Sequence, residues 1–272
     1  MIILTAANSD KAKDDYGKVY KNFSYRNVIT CTVTTAKKFG YIPVVFDLGS
    51  LGIGEPYVVN DVSFSEKGYY EREVHEGYKS KSLFKPDIVR KCMTKYNDLI
   101  VYLDGDAQLF GNIDEVNTED YDVGVTLRDP VELQGEWYND HIDIVRYINA
   151  GVIFFRPTIA AKKFVDSWGK ITEELGNDQM ALNRMACTDK YPEAFSVSNI
   201  SGVRMKYFPC KQYNFYYFRE GLVRNIKIMH FKADVRHFFP FDWKKRLYCI
   251  TIIPVINRMK SSIKKLPLFN TK

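Results

Sequence analysis

Two carboxylates separated by a single glycine, Asp104 and Asp106, stand immediately after the apolar run LIVYL at residues 99–103. Like charges this close repel each other and resist losing water, so the pair is costly unless a cation or fixed hydrogen-bond donors compensate it. A hard divalent cation, Mg2+ or Mn2+, accepts carboxylate oxygens and commonly fills its remaining positions with phosphate oxygens and water. A D-G-D turn can therefore hold a diphosphate, with Gly105 letting the backbone fold tightly between the acids. The competing reading is a solvated acidic turn, which the D-x-D spacing alone does not exclude.

The elements around the pair decide where it lies. LIVYL is continuously apolar rather than alternating, as expected of a central strand covered on both faces. Before it, Pro86 falls where a first helical turn tolerates it, and Ile88, Val89, Cys92, Met93 and Tyr96 share one helical face. The chain opens as a βαβ unit: IILTAA (2–7), an amphipathic stretch over 25–39, and YIPVVFD (41–47). Further strands are expected at YDVGVTL (121–127), GVIFF (151–155), VRMKYF (203–208) and IKIMHF (226–231), with helices over 158–175 and 178–187. Residues 50–80, rich in Gly, Ser, Tyr and charge, have no clear period and read as loops or a short lid-like excursion. The pattern predicts one α/β domain over residues 1–242, with a central mixed sheet flanked by helices. Open α/β sheets bind ligands beyond the carboxyl ends of their strands, which is where the two aspartates fall.

The formal charge of +6 is unevenly placed: residues 243–272 hold eight basic residues and no acid, leaving residues 1–242 slightly acidic. That distribution argues against a nucleic-acid binder, whose folded surface should itself be basic. The tail WKKRLYCITIIPVINRMKSSIKKLPLFNTK carries an apolar block too short to span a bilayer, bracketed by basic clusters. It fits peripheral contact with an anionic membrane surface, the alternative being a final helix packed on the domain. Five scattered cysteines suggest neither a disulfide framework nor a zinc site. The first residues lack the pattern of a secretory signal. A cytoplasmic location, at the inner face of a membrane if the tail attaches, is the expectation.

Four segments, in order, resemble glycosyltransferases of the GT-A fold, particularly the retaining family 8 of glycogenins and bacterial lipopolysaccharide galactosyltransferases. LIVYLDGDAQLFGNIDE is similar to the metal-binding D-x-D strand, and YINAGVIFFRP to the N-A-G strand lining the donor sugar. NDQMALN resembles a D-Q-x-x-L-N helix start, and IMHFKAD the late H-F strand end. The resemblance implies a Rossmann-like nucleotide-diphospho-sugar transferase fold and metal-dependent hexosyl transfer, with retention, from a UDP-sugar to a glycan or lipid-linked acceptor.

Carried onto this chain, the resemblance makes Asp104 and Asp106 metal ligands and His230 the third, through a neutral imidazole nitrogen that Mn2+ tolerates better than Mg2+. Lys232 would emerge two residues on, on the same side as His230, close enough to meet diphosphate charge, and Lys85 is a second candidate for the phosphates; either could instead be a solvated lysine. Thr5, Ala6 and Asn8 after the first strand, and Asp47 at the end of the second, suit a nucleoside pocket or ordinary strand-end polarity. Asn149 can offer its amide to sugar hydroxyls, with Ala150 and Gly151 allowing close approach; a helix-to-strand turn would use Asn and Gly too. Asp178 would bind sugar hydroxyls or serve as a helix N-cap, and Gln179 would lie near the anomeric carbon. An inverting reaction would need a carboxylate base, for which Asp178, Asp129 and Glu132 are candidates. Two other readings use the same residue types: a sugar nucleotidylyltransferase, whose glycine-rich basic loop ILTAANSDKAK lacks, and a noncatalytic nucleotide- or glycan-binding module.

Overall fold

The computed structural model describes residues 1–7, 20, 22–48, 51, 58–60, 72–74, 78–80, 83–134, 146–216 and 225–240. Asn8 and the basic tail lie outside the described residues.

The opening βαβ unit consists of β1 (Ile2–Ala7), α1 (Tyr25–Lys38) and β2 (Ile42–Asp47). Ser24 caps α1 by accepting from the Asn27 amide at 3.2 Å, and the helix buries Val28, Ile29, Val33 and Ala36. Within the unpatterned stretch that follows lie three short strands, β3 (Val58–Asn60), β4 (Arg72–Val74) and β5 (Tyr78–Ser80). The chain continues through α2 (Lys85–Lys95), β6 (Ile100–Asp104), β7 (Ala107–Leu109), β8 (Val123–Leu127) and β9 (Ile148–Phe155). It then forms α3 (Ile159–Leu175), α4 (Asp178–Ala186), β10 (Val197–Ile200), β11 (Val203–Pro209) and β12 (Ile228–His230).

Eight strands form one mixed sheet in the order β10-β11-β8-β9-β6-β1-β2-β3. β1 runs parallel to both β2 and β6, whereas β9 is antiparallel to both of its neighbours. Alternate residues of the central strands feed two cores. Leu4, Ile100 and Tyr102 pack with Ile88 of α2 and Phe164 and Trp168 of α3 on one face. Ile3, Val101 and Leu103 join Ala36 of α1 on the other. Double coverage is what the unbroken apolar character of LIVYL requires.

Two strands near the site depart from the sequence expectation. β9 begins at Ile148, so Asn149 and Ala150 lie inside the strand with Gly151 instead of before it. The cause is an irregularity in the β8–β9 ladder: Val125 pairs with Ile153, but Thr126 pairs with Asn149. The bulge accommodates a polar residue within a buried strand. β12 also departs from expectation, pairing antiparallel with β7 in a separate two-stranded ribbon. That ribbon matters for the site, because it places His230 opposite Ala107, next to the acidic turn.

Candidate metal and donor site

β6 ends at Asp104, and β7 starts one residue after Asp106, so both carboxylates project from a turn at the carboxyl edge of the sheet. The β7–β12 pairing continues with the Phe231 amide donating to the Asp106 carbonyl at 2.8 Å. Nε2 of His230 consequently stands 3.0 Å from Asp106 Oδ1 and 3.8 Å from Asp104 Oδ2. One donor atom from each of the three residues falls within 4.8 Å of the other two. A single ion could bind all three.

The donor chemistry fits such an ion. Nδ1 of His230 lies 2.9 Å from Asn214 Oδ1, and donation there leaves Nε2 as a lone pair directed at carboxylate oxygens. Acceptors facing each other at this range need a proton or a cation between them. Asp104 retains some solvent access, at 22% side-chain exposure, whereas Asp106 and His230 are buried. Entry is therefore through the Asp104 side. Imidazole plus two carboxylates is a set that Mn2+ accepts readily.

Asp106 also receives Arg236, whose Nη2 lies 2.8 Å from Oδ2. Burial alone would raise the Asp106 carboxyl, but without a metal a protonated His230, together with Arg236, outweighs it and holds the group well below the usual carboxylate range. Arg236 is flanked by the rings of Tyr20 and Phe23, and its Nη2 reaches the Tyr25 hydroxyl at 3.4 Å.

Lys85 is not solvated. Its ammonium is 4% exposed and bridges Asp104 Oδ1 at 2.9 Å and Asp178 Oδ2 at 2.7 Å, with the Ala150 carbonyl at 3.3 Å. Burial opposes its charge, yet the two carboxylates more than compensate and keep the lysine protonated. Asp178 shows the opposite balance: burial, reinforced by Asp104, raises its carboxyl despite Lys85. The N-cap of α4 is Asn177, whose Oδ1 accepts from the Met180 amide at 2.9 Å, so Asp178 occupies the first helical turn. Gln179 braces β9: its Oε1 accepts from the Ala150 amide at 3.0 Å, and its Nε2 donates to the Ile148 carbonyl.

The other candidates are distributed around this centre. Thr5 and Ala6 pair with Leu103 and Asp104, placing them at the same sheet edge. Among the described residues, the buried Thr5 hydroxyl has no hydrogen-bond partner, and neither does the buried Nδ2 of Asn149, whose Oδ1 accepts from the Gly151 amide at 2.9 Å. Asp47 is buried and accepts from the Leu51 amide at 3.0 Å, which ties down the chain after β2. Gly105 and Gly151 are required by close approach. A Cβ on Gly105 would stand 2.7 Å from the Ala6 carbonyl oxygen, and one on Gly151 would stand 2.4 Å from the His230 ring. Lys232 is exposed, and its ammonium sits over the Tyr216 ring at 5.9 Å. Glu132 is bound to Arg128 at 2.9 Å and to the Tyr216 hydroxyl at 2.7 Å, and Asp129 to Lys211 at 2.6 Å.

Arg236, Asn214 and Tyr25 are site neighbours that the sequence does not announce. Asn214 lies in QYNFYY, where polar and aromatic residues follow no period, and Arg236 sits among mixed charges in KADVRHF.

A family model described as nucleotide-diphospho-sugar transferase matches residues 57–236, more than half of the chain. No curated protein sequence matches. Among solved structures, the galactosyltransferase LgtC, in complex with donor and acceptor sugar analogues, superposes with a TM-score of 0.52 at 16% identity. That similarity covers 96% of this chain and all of LgtC. A glycosyltransferase involved in glycosylation of the major capsid of PBCV-1 gives a TM-score of 0.51 at 13% identity, covering 87% of this chain and 97% of that one. The fold is therefore GT-A. The chain belongs to the nucleotide-diphospho-sugar transferase family and is a glycosyltransferase.

Proposed function

We propose that the protein transfers a hexosyl group from a UDP-sugar to a hydroxyl of a glycan or lipid-linked acceptor, with retention at the anomeric carbon and dependence on Mn2+. The observation that carries this reading is the convergence of Asp104, Asp106 and the lone pair of His230 Nε2 at the carboxyl edge of the sheet. A divalent ion bound there would supply charge neutralisation to the departing diphosphate. Lys232, exposed beside this centre, offers the same phosphates a further positive charge.

Asn149 and Asp178 are the groups suited to sugar hydroxyls, since the Asn149 Nδ2 has a donor to give and Asp178 is fixed by Lys85 with lone pairs remaining. Thr5, Ala6, Asn8 and Asp47 are assigned to the nucleoside. Gln179 holds the edge of β9 beside the sugar; an amide engaged at both ends is a poor nucleophile. This favours a same-face reaction, in which the acceptor hydroxyl loses its proton to the leaving phosphate, over an amide-linked intermediate. NMR of the product's anomeric proton tests retention.

The donor is tested by screening nucleotide sugars for Mn2+-stimulated hydrolysis. A UDP-hexose is expected to respond first, and a response confined to another nucleotide would remove the uridine assignment. No described helix is long and apolar enough to cross a membrane. We assign the basic tail to peripheral contact with an anionic surface at the cytoplasmic side of a membrane. Equal liposome flotation of the full chain and of a chain ending at residue 242 would overturn that assignment.

A further inference from the structure

The His230 imidazole is held from two sides by groups outside the metal-ligand set, one of them oriented in turn by a third group. Its Nδ1 meets Asn214 Oδ1 at 2.9 Å, and Asn214 is fully buried. The orientation of that amide is itself determined. Thr126 Oγ1 lies 2.9 Å from the Asn149 carbonyl, which can only accept, so the hydroxyl hydrogen points there. The same hydroxyl must then accept from Asn214, whose Nδ2 lies 2.9 Å away. With the amide nitrogen committed to Thr126, the amide oxygen faces His230, and Nδ1 must carry the proton. Gly151 restrains the other side of the ring by leaving no side chain where the ring edge sits.

The chain of bonds therefore runs from the bulge of β9 through Thr126 of β8 and Asn214 to the imidazole. We infer that Asn214 is a positioning residue that fixes His230 in its Nδ1-protonated form, with the Nε2 lone pair turned to Asp104 and Asp106. Its consequence for metal affinity rests on the metal site proposed above; its consequence for the tautomer does not. Groups that orient a ligating histidine typically contribute 10–100-fold to metal affinity.

Two measurements on the full chain test this. Long-range 1H–15N spectra of the metal-free protein, with the His230 signal identified by its loss in His230→Gln, should show Nδ1 protonated, with any proton between Nε2 and Asp106 being the one a metal would displace. Asn214→Leu should redistribute the tautomers and weaken Mn2+ binding, read by EPR of free Mn2+, by roughly 10–100-fold. Asn214→Asp, which keeps an acceptor for Nδ1, should remain within a few-fold of wild type, roughly. Thr126→Val removes the acceptor that orients Asn214 and should shift the tautomer in the same direction; it serves if Asn214→Leu does not fold. A wild-type tautomer and wild-type Mn2+ affinity in folded Asn214→Leu would overturn the inference. Wild-type protein that shows the Nδ1-protonated ring yet binds no Mn2+ would support the tautomer clamp and overturn the metal site.

Discussion

Gly151→Ala places one methyl group where the His230 ring already lies. The new Cβ would stand 2.4 Å from Cε1 and 2.5 Å from Nδ1, against ordinary contacts that begin near 3.4 Å. The ring must therefore withdraw by about 1 Å, or β9 must move by as much. Neither response is easy, because Asn214 holds the same Nδ1 that the methyl would press on, and β9 is hydrogen-bonded to a neighbour on each side. Overpacking of this kind costs about 1–3 kcal/mol. For a chain of this size each kcal/mol corresponds to roughly 2–4 °C in Tm. Metal sites tolerate displacements of about 0.2 Å, so a ring moved several times that distance should cease to be a good ligand. Calorimetric titration of Mn2+ into Gly151→Ala should show affinity reduced by at least about tenfold, the scale on which mispositioned ligands act. Gly111→Ala is the control, since its Cβ would meet only Lys227 Cδ at 3.5 Å. Wild-type Mn2+ affinity and wild-type Tm in Gly151→Ala would refute the packing argument.

Lys85→Met should be strongly destabilising, by about 3–5 kcal/mol, because it leaves Asp104 and Asp178 without the buried ammonium that bridges them. Chemical denaturation reads the loss, and adding Asp178→Asn should recover part of it; a loss below about 1 kcal/mol would contradict the bridge. The buried Asp122 carboxylate, bound by the Arg204 guanidinium at 2.9 Å and by the Arg204 backbone amide at 2.9 Å, is held below its ordinary value of 3.8. A lowered folded-state value means stabilisation that is complete above the unfolded value and lost as pH falls through the folded one. The Tm of Asp122→Asn should therefore lie below wild type near neutrality and converge on it below pH ~4; parallel acid limbs would count against the pair.

Much of the sheet was legible because its residues obey simple patterns. LIVYL is apolar on both faces since both are covered, and Asp104 had to fall at the strand's end because a charge could not continue inward. What escaped depended on partners distant in the chain. Lys85 reads locally as a solvated helix-start lysine, but Asp104 and Asp178 come together around it only after β6 and α4 pack against α2. The start of β9 was misplaced because Asn149 looks like a turn residue until the ladder irregularity opposite Thr126 is known. The sequence offers Asp178 as a cap, but the geometry gives that role to Asn177 and leaves Asp178 in the first turn. The pattern of IKIMHF locates a strand, but the role of His230 rests on resemblance alone, since nothing in that run shows that the strand pairs with β7 beside the acidic turn.

These placements converge on the claim that Asp104 and Asp106 act on the leaving diphosphate through a bound cation. The most direct measurement is hydrolysis of the responding donor by wild type and Asp106→Ala, each with and without Mn2+. The account predicts Mn2+-stimulated turnover in wild type and loss of that stimulation in Asp106→Ala. Full, metal-independent activity in the variant would contradict it.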